Sequence, residues 1–166
     1  MSIRTSRESD AEALLRLLKR LDDETHFMMY EPGERTTTVR EQQQLLRDIL
    51  ASTSGTILLA EVDGLPVGFL EATGGAFRRN RHVAYLVIGV LKAYAGRGVG
   101  SALMEEAERW ARERGVHRLE LTVMAHNLGA VALYEKAGFA FEGIRRHSML
   151  VDGSYVDEHY MAKLLV

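Results

Sequence analysis

Gly96, Gly98 and Gly100 alternate with Arg97 and Val99 where an extended apolar run gives way to a helical pattern. Glycine lets backbone N–H groups converge without a Cβ in the way. A helix starting there adds unpaired donors and a partial positive charge. Together these suit a phosphate or pyrophosphate. A plain strand-to-helix turn with no ligand carries the same glycines. A P-loop ends in Gly-Lys-Ser/Thr, whereas here Ser101 follows Gly100 with no lysine. A dinucleotide fingerprint needs G-x-G-x-x-G opening a doubly wound unit. Here the third glycine comes one residue early, and hairpin signals precede it.

The wider run Val87-Ile88-Gly89-Val90-Leu91-Lys92-Ala93-Tyr94-Ala95-Gly96-Arg97-Gly98-Val99-Gly100-Ser101-Ala102-Leu103 resembles the acetyl-CoA signature of the GNAT N-acetyltransferase superfamily, Q/R-x-x-G-x-G/A. On this chain the signature starts at Ala95, where Gln or Arg is usual, and Arg97 stands close by. A second run, Asn127-Leu128-Gly129-Ala130-Val131-Ala132-Leu133-Tyr134-Glu135-Lys136-Ala137-Gly138-Phe139, resembles that superfamily's N-x-x-A-x-x-L-Y-x-K-x-G-F signature and is much more specific. The resemblance covers residues 56–166 well and the earlier helices in outline.

The resemblance implies acetyl-CoA as co-substrate. It implies contacts from Ile88, Gly89 and Val90 to the pantetheine, and from Ala95, Gly96, Arg97, Gly98, Val99, Gly100 and Ser101 to the phosphates. It puts Asn127 on the pantetheine or phosphate arm and makes Tyr134 the general acid. From the residues themselves, Asn127 is equally a helix cap and Tyr134 equally a core aromatic, and both readings stand.

An amine attacking a thioester must be neutral, the carbonyl must be polarised, and the leaving thiolate must receive a proton. The chain has no cysteine, and the resemblance implies direct attack within a ternary complex. Backbone donors near Val90 can serve as the oxyanion hole. The strand His82–Val90 holds no carboxylate. Glu71 on the preceding strand, Tyr85 or an ordered water is then the candidate base. Glu71 is equally a solvated strand residue, and an amine that arrives neutral needs no base.

The resemblance assigns the acceptor wall to the first two helices and their connection, residues 22–35. There Phe27, Met28, Met29 and Tyr30 can line a pocket, Glu31 and Glu34 can attract an ammonium, and Tyr85 can face it. The last strand pair, Met149 to Met161, resembles superfamily members that acetylate amino acids, polyamines or protein N-termini. The expected acceptor is a small-molecule primary amine of the amino acid or polyamine kind. A protein N-terminal or lysine acetyltransferase is the alternative within the enzyme class. A non-catalytic acyl-CoA-binding or sensing module is the alternative outside it, and a Rossmann-like nucleotide binder stands further off. Relatives often dimerise, which implies a homodimer. The basic run Arg78-Arg79-Asn80-Arg81-His82 reads as solvated surface, or as a contact for an acidic substrate or the CoA 3′-phosphate.

These residues need elements to hold them. Ile3 to Thr5 predicts a short strand. Ser9 and Glu12 have capping-box spacing before a helix with Leu14, Leu17, Leu18 and Leu21 on one face. Thr38 and Glu41 repeat that spacing before Leu45, Leu46, Ile49 and Leu50. Strands over 56–62 and 65–72 flank Asp63-Gly64, a two-residue hairpin signal. A strand over 83–91 precedes the glycine turn and a helix over 99–114 that stops at Gly115. A strand over 119–124, a short helix over 128–137, and strands over 139–151 and 154–165 joined at Asp152-Gly153 complete the chain. The expected fold is α/β: one mixed-sheet GNAT-like domain over residues 1–166, ordered βααβββαβαββ, with antiparallel hairpins first and a parallel pair around the cofactor site.

A chain of 166 residues buries a core without metal or disulfide staples. A net charge of -2 gives no electrostatic reason to expect nucleic-acid binding. The six histidines show no metal-ligand spacing, so no metal is expected. No run has the roughly 20 apolar residues of a membrane span, Met1 to Arg7 carries no signal-peptide apolar stretch, and a cytoplasmic protein is expected.

Overall fold

In the computed structural model, which describes residues 1–166, the expected order of elements is present: β1 (Ser2–Thr5), α1 (Ala11–Glu24), α2 (Val39–Ala51), β2 (Gly55–Val62), β3 (Leu65–Gly74), β4 (Val83–Val90), α3 (Val99–Glu113), β5 (Arg118–Met124), α4 (Leu128–Lys136), β6 (Ala140–Val151) and β7 (Ser154–Leu164). The strands form one seven-stranded sheet in the order β1-β2-β3-β4-β5-β7-β6. Every neighbouring pair is antiparallel except β4 and β5, the two joined through the helix α3.

Both Asp-Gly turns form as expected. Asp63 and Gly64 have φ of 51° and 76°, and Asp152 and Gly153 have φ of 48° and 78°. These left-handed pairs match the strand twist of a two-residue hairpin. At α2 the Glu41 amide donates to the Thr38 hydroxyl (3.2 Å), and the Thr38 amide donates to the Glu41 carboxylate (2.8 Å). The box expected at Ser9 and Glu12 does not form. A single 3₁₀ turn, Glu8–Asp10, precedes α1 instead, and the Arg7 amide donates to Asp10 (2.6 Å). Arg4 holds Asp10 in place (2.8 Å) while also pairing with Glu61 (2.8 Å). The Arg4–Asp10 pair, itself tied to β2 through Glu61, thus outcompetes the serine cap.

The leucine stripe of α1 is fully internal, whereas in α2 Leu46 is the only buried leucine and Leu45 and Leu50 face outward. α1 also runs further than expected, so Asp22 lies inside it, buried, and the irregular connection starts only at Thr25. α1 packs on one face of the sheet: a Cβ on Gly89 would meet Leu21 and Phe69 at 2.9 and 2.8 Å. α3 packs on the other, where Gly68 lies against Val99.

Candidate active site

The parallel ladder between β4 and β5 ends almost as soon as it begins. Val83, Ala84 and Tyr85 pair with Arg118, Leu119 and Glu120, and beyond that the strands part. β3 still pairs with β4 up to Val90, so the opening lies only on the β5 side. The His82 carbonyl faces β5, accepting from the His117 and Arg118 amides, while the Leu91 amide donates the other way, to Val67. Backbone direction alternates along a strand, so Ile88 and Val90 turn their N–H and C=O groups into the gap. Buried backbone groups of this kind require a partner. A groove of about 1030 Å³ follows the gap and is lined by residues from both faces of the sheet.

The groove reaches the glycine turn. Gly96 and Gly98 have φ of 72° and 82°, and Gly98 is the N-cap of α3. Ala102 is the first residue whose amide enters the helix ladder, donating to the Gly98 carbonyl. No protein acceptor meets the backbone amides from Gly96 to Ser101. A run of unpaired donors at a helix N-terminus is an anion cradle. Ala95, Gly96, Gly98, Gly100 and Ser101 line the groove with Tyr94, Lys92 and Lys136. Val99 turns its side chain into the core and can offer only its amide. Arg97 lies outside the lining, exposed, its guanidinium 5.5 Å from the Tyr94 ring centre. Gly100 has a further duty: a Cβ there would stand 2.9 Å from Leu133 Cδ2, so the glycine lets α3 and α4 approach. The basic run 78–82 joins β3 to β4 at the end of β4 opposite the glycine turn, which removes it as a contact for the 3′-phosphate of a CoA seated there.

Asn127 begins α4 as its N-cap, its side-chain oxygen accepting from the Ala130 amide (3.3 Å). The side-chain NH₂ has no protein partner, and Asn127 lines the groove, so one amide group caps the helix with its oxygen and keeps its nitrogen unshared. Tyr134 packs on Phe139 with ring centres 6.1 Å apart. Only 6% of it is exposed, yet its hydroxyl makes no hydrogen bond within the protein and lines the groove. Burial pushes its phenol pKa up, with a smaller push from neighbouring Tyr85. Tyr134 therefore keeps its proton at neutral pH.

The α1 side of the groove holds Phe27, Met28, Met29, Tyr30, Glu71 and Tyr85. The connection after α1 is held by the Phe27 ring against His126 (5.1 Å between centres) and by His26 beside Asp152 (3.2 Å). The Tyr85 hydroxyl is hydrogen-bonded to Thr122 (2.7 Å), just where the β4–β5 ladder ends. Burial pushes the Glu71 carboxyl above its ordinary pKa, while a long Thr73 contact (3.4 Å) and the charge of Arg35 pull the other way. Glu31 and Glu34 do not belong here: both are exposed and neither lines the groove. The carboxylates that do line it are Glu71, Glu24 and Glu158.

The sequence does not single out several charged residues found at or beside the groove, Asp22, Arg35 and Glu158 among them. Asp22, buried in α1, takes Arg35 Nε and Nη2 at 2.6 and 3.1 Å. The Arg35 guanidinium lies over the Tyr30 ring, 4.3 Å from its centre, and faces the groove. Glu158 on β7 is buried and paired with Arg145 (3.3 Å). The usable signal was Asp22 in line with the leucine stripe of α1, an acid where the helix faces the core.

The model of the acetyltransferase (GNAT) family matches residues 15–139. The chain belongs to the GNAT family. It is 40% identical over 111 residues to L-amino acid N-acetyltransferase AaaT of Escherichia coli, a match spanning 64% of this chain and 67% of that one. The acetyltransferase of GNAT family from Streptococcus pneumoniae superposes with a TM-score of 0.95 at 34% identity, over 99% of both chains. YncA from Salmonella typhimurium, solved with its cofactor acetyl-CoA, shares the fold with a TM-score of 0.88 at 19% identity, over 99% of this chain and 94% of that one. As a GNAT member the chain is an acyltransferase enzyme. No helix is long and apolar enough to cross a membrane.

Proposed function

We propose that this GNAT enzyme transfers the acetyl group of acetyl-CoA to the primary amine of a small molecule, an amino acid or polyamine-like amine, by direct attack in a ternary complex. The observation that carries the reading is the continuity of unpaired backbone groups. Ile88 and Val90 face the gap, and the amides of Gly96 to Ser101 stand free at its end. An extended chain with amides, ending in a pyrophosphate, matches both halves. Residues from both faces of the sheet line the groove, so an acetyl donor on the α3 side meets an amine from the α1 side.

The amine nitrogen attacks the thioester carbonyl and forms the C–N bond, the Val90 amide stabilising the oxyanion. Glu71, ionised, takes a proton from the nitrogen, directly or through a water. The C–S bond then breaks, and the Tyr134 hydroxyl gives its proton to the departing thiolate. Products are the N-acetyl amine and CoA thiol. A raised Glu71 pKa brings this base closer to the working pH. Initial rates with both substrates varied are expected to give intersecting double-reciprocal lines. Parallel lines, the mark of a covalent acetyl-enzyme, would refute direct attack.

We also infer a homodimer. β6 is an edge strand with Phe141, Ile144 and Leu150 exposed, and an exposed apolar edge invites pairing. Sedimentation is expected to give twice the chain mass; the chain mass at working concentration would contradict this.

A further inference from the structure

We infer that Arg35 is the acceptor's carboxylate anchor, and hence that the acceptor is an amino acid rather than a polyamine. This rests on the acetyltransferase reading above.

The geometry of the guanidinium carries the inference. Asp22 occupies one edge, Nε and Nη2, and Tyr30 covers one flat side. The other edge, Nη1 with the second N–H of Nη2, has no protein acceptor. Arg35 is only 12% exposed, and it lines the groove. A guanidinium can serve two carboxylates at once, because its donors form a planar fork with two usable edges. Asp22 is buried in α1 and fixes the fork's orientation before any ligand arrives, which lowers the ordering cost of binding.

Charge points the same way. Arg35 is paired with Asp22, and Arg35 and Glu71 both line the groove, so a cation and a second acid face the same space. A zwitterion in this groove can set its carboxylate on the open Arg35 edge and leave its ammonium to Glu71. The ammonium is the group that must lose a proton and attack. A polyamine would leave the open Arg35 edge without an acceptor, and burying unpaired donors is costly. One anchor thus sets both the class of acceptor and the direction in which its nitrogen points.

The test uses the full chain with acetyl-CoA and the L-amino acids. The best of them is compared with its own primary amide, which keeps the amine and side chain but loses the carboxylate. The readout is the ratio of kcat/KM for acid over amide, in wild type and in Arg35→Lys. Lysine still pairs with Asp22 but lacks the second edge. The wild-type ratio is expected to favour the acid, and Arg35→Lys is expected to lower that ratio by about 10- to 100-fold, as for loss of a charge-assisted bond. A ratio unmoved by Arg35→Lys, or a wild type that prefers the amide or a polyamine, overturns the anchor but leaves the acetyltransferase reading standing. No thiol release with acid, amide or polyamine overturns both. If Arg35→Lys fails to fold by circular dichroism, the wild-type acid-to-amide ratio decides alone: a preference of tenfold or more for the acid supports the anchor, and a smaller one overturns it.

Discussion

At the scale of single residues, Tyr134 has a buried ring and an unshared hydroxyl. Tyr134→Phe keeps the packing on Phe139 and removes only the proton. It is expected to lower kcat by about 100-fold or more while acetyl-CoA affinity changes little, since acid catalysis contributes about 100- to 10,000-fold. Unchanged turnover with chemistry rate-limiting would remove Tyr134 from the acid role. Glu71 makes two pH-dependent predictions, because its folded pKa lies above its unfolded one. As a base it works only when ionised, so the rate falls with pH through that raised pKa, and Glu71→Gln is expected to abolish this limb. For stability the sign is opposite. The folded state holds the Glu71 proton over the window between the two pKa values, so wild-type stability declines as pH rises through it. Glu71→Gln is therefore expected to melt higher than wild type at neutral pH, with the gain vanishing below the ordinary carboxylate range.

At the scale of elements, the glycine turn depends on Gly98 in the left-handed region. A Cβ there meets no atom, so Gly98→Ala tests backbone strain rather than packing. The expected cost is about 1–2 kcal/mol in denaturant unfolding, with weaker acetyl-CoA binding in calorimetry because the cradle amides turn. Wild-type affinity in a folded variant would show that the cradle is not used. The Asp22–Arg35 pair ties α1 to the connection that walls the groove. Asp22→Ala leaves a largely buried guanidinium without its partner, and is expected to cost about 3–5 kcal/mol. The elements themselves were largely legible: hairpin turns, the Thr38 cap and the glycine stops are local signals that the chain obeys. Where reading failed, distant partners decided. Asp10 answers to Arg4, which Glu61 on β2 also holds, Asp22 answers to Arg35, and the outward side of α2 depends on what packs against it.

At the scale of the whole molecule, the proposed function rests on a sheet that is left incomplete in one place. The motifs announced the cradle and the Asn127–Tyr134 helix, but the early end of the β4–β5 ladder is a relation between strands far apart in the chain. The acceptor half was harder to read, because Glu31 and Glu34 look as acidic in sequence as Glu71 and Glu158, and only burial separates them. A ligand that completes the sheet should stabilise it: acetyl-CoA at about 100 times its Kd is expected to add about 2.7 kcal/mol to unfolding. The most direct measurement is an acceptor screen with acetyl-CoA, following thiol release and product mass together over amino acids, polyamines and peptides with free N-termini. The expected result is CoA thiol released in step with an N-acetylated small amine. Acetyl-CoA that binds but releases no thiol with any amine, or acetylation confined to peptides, would contradict it.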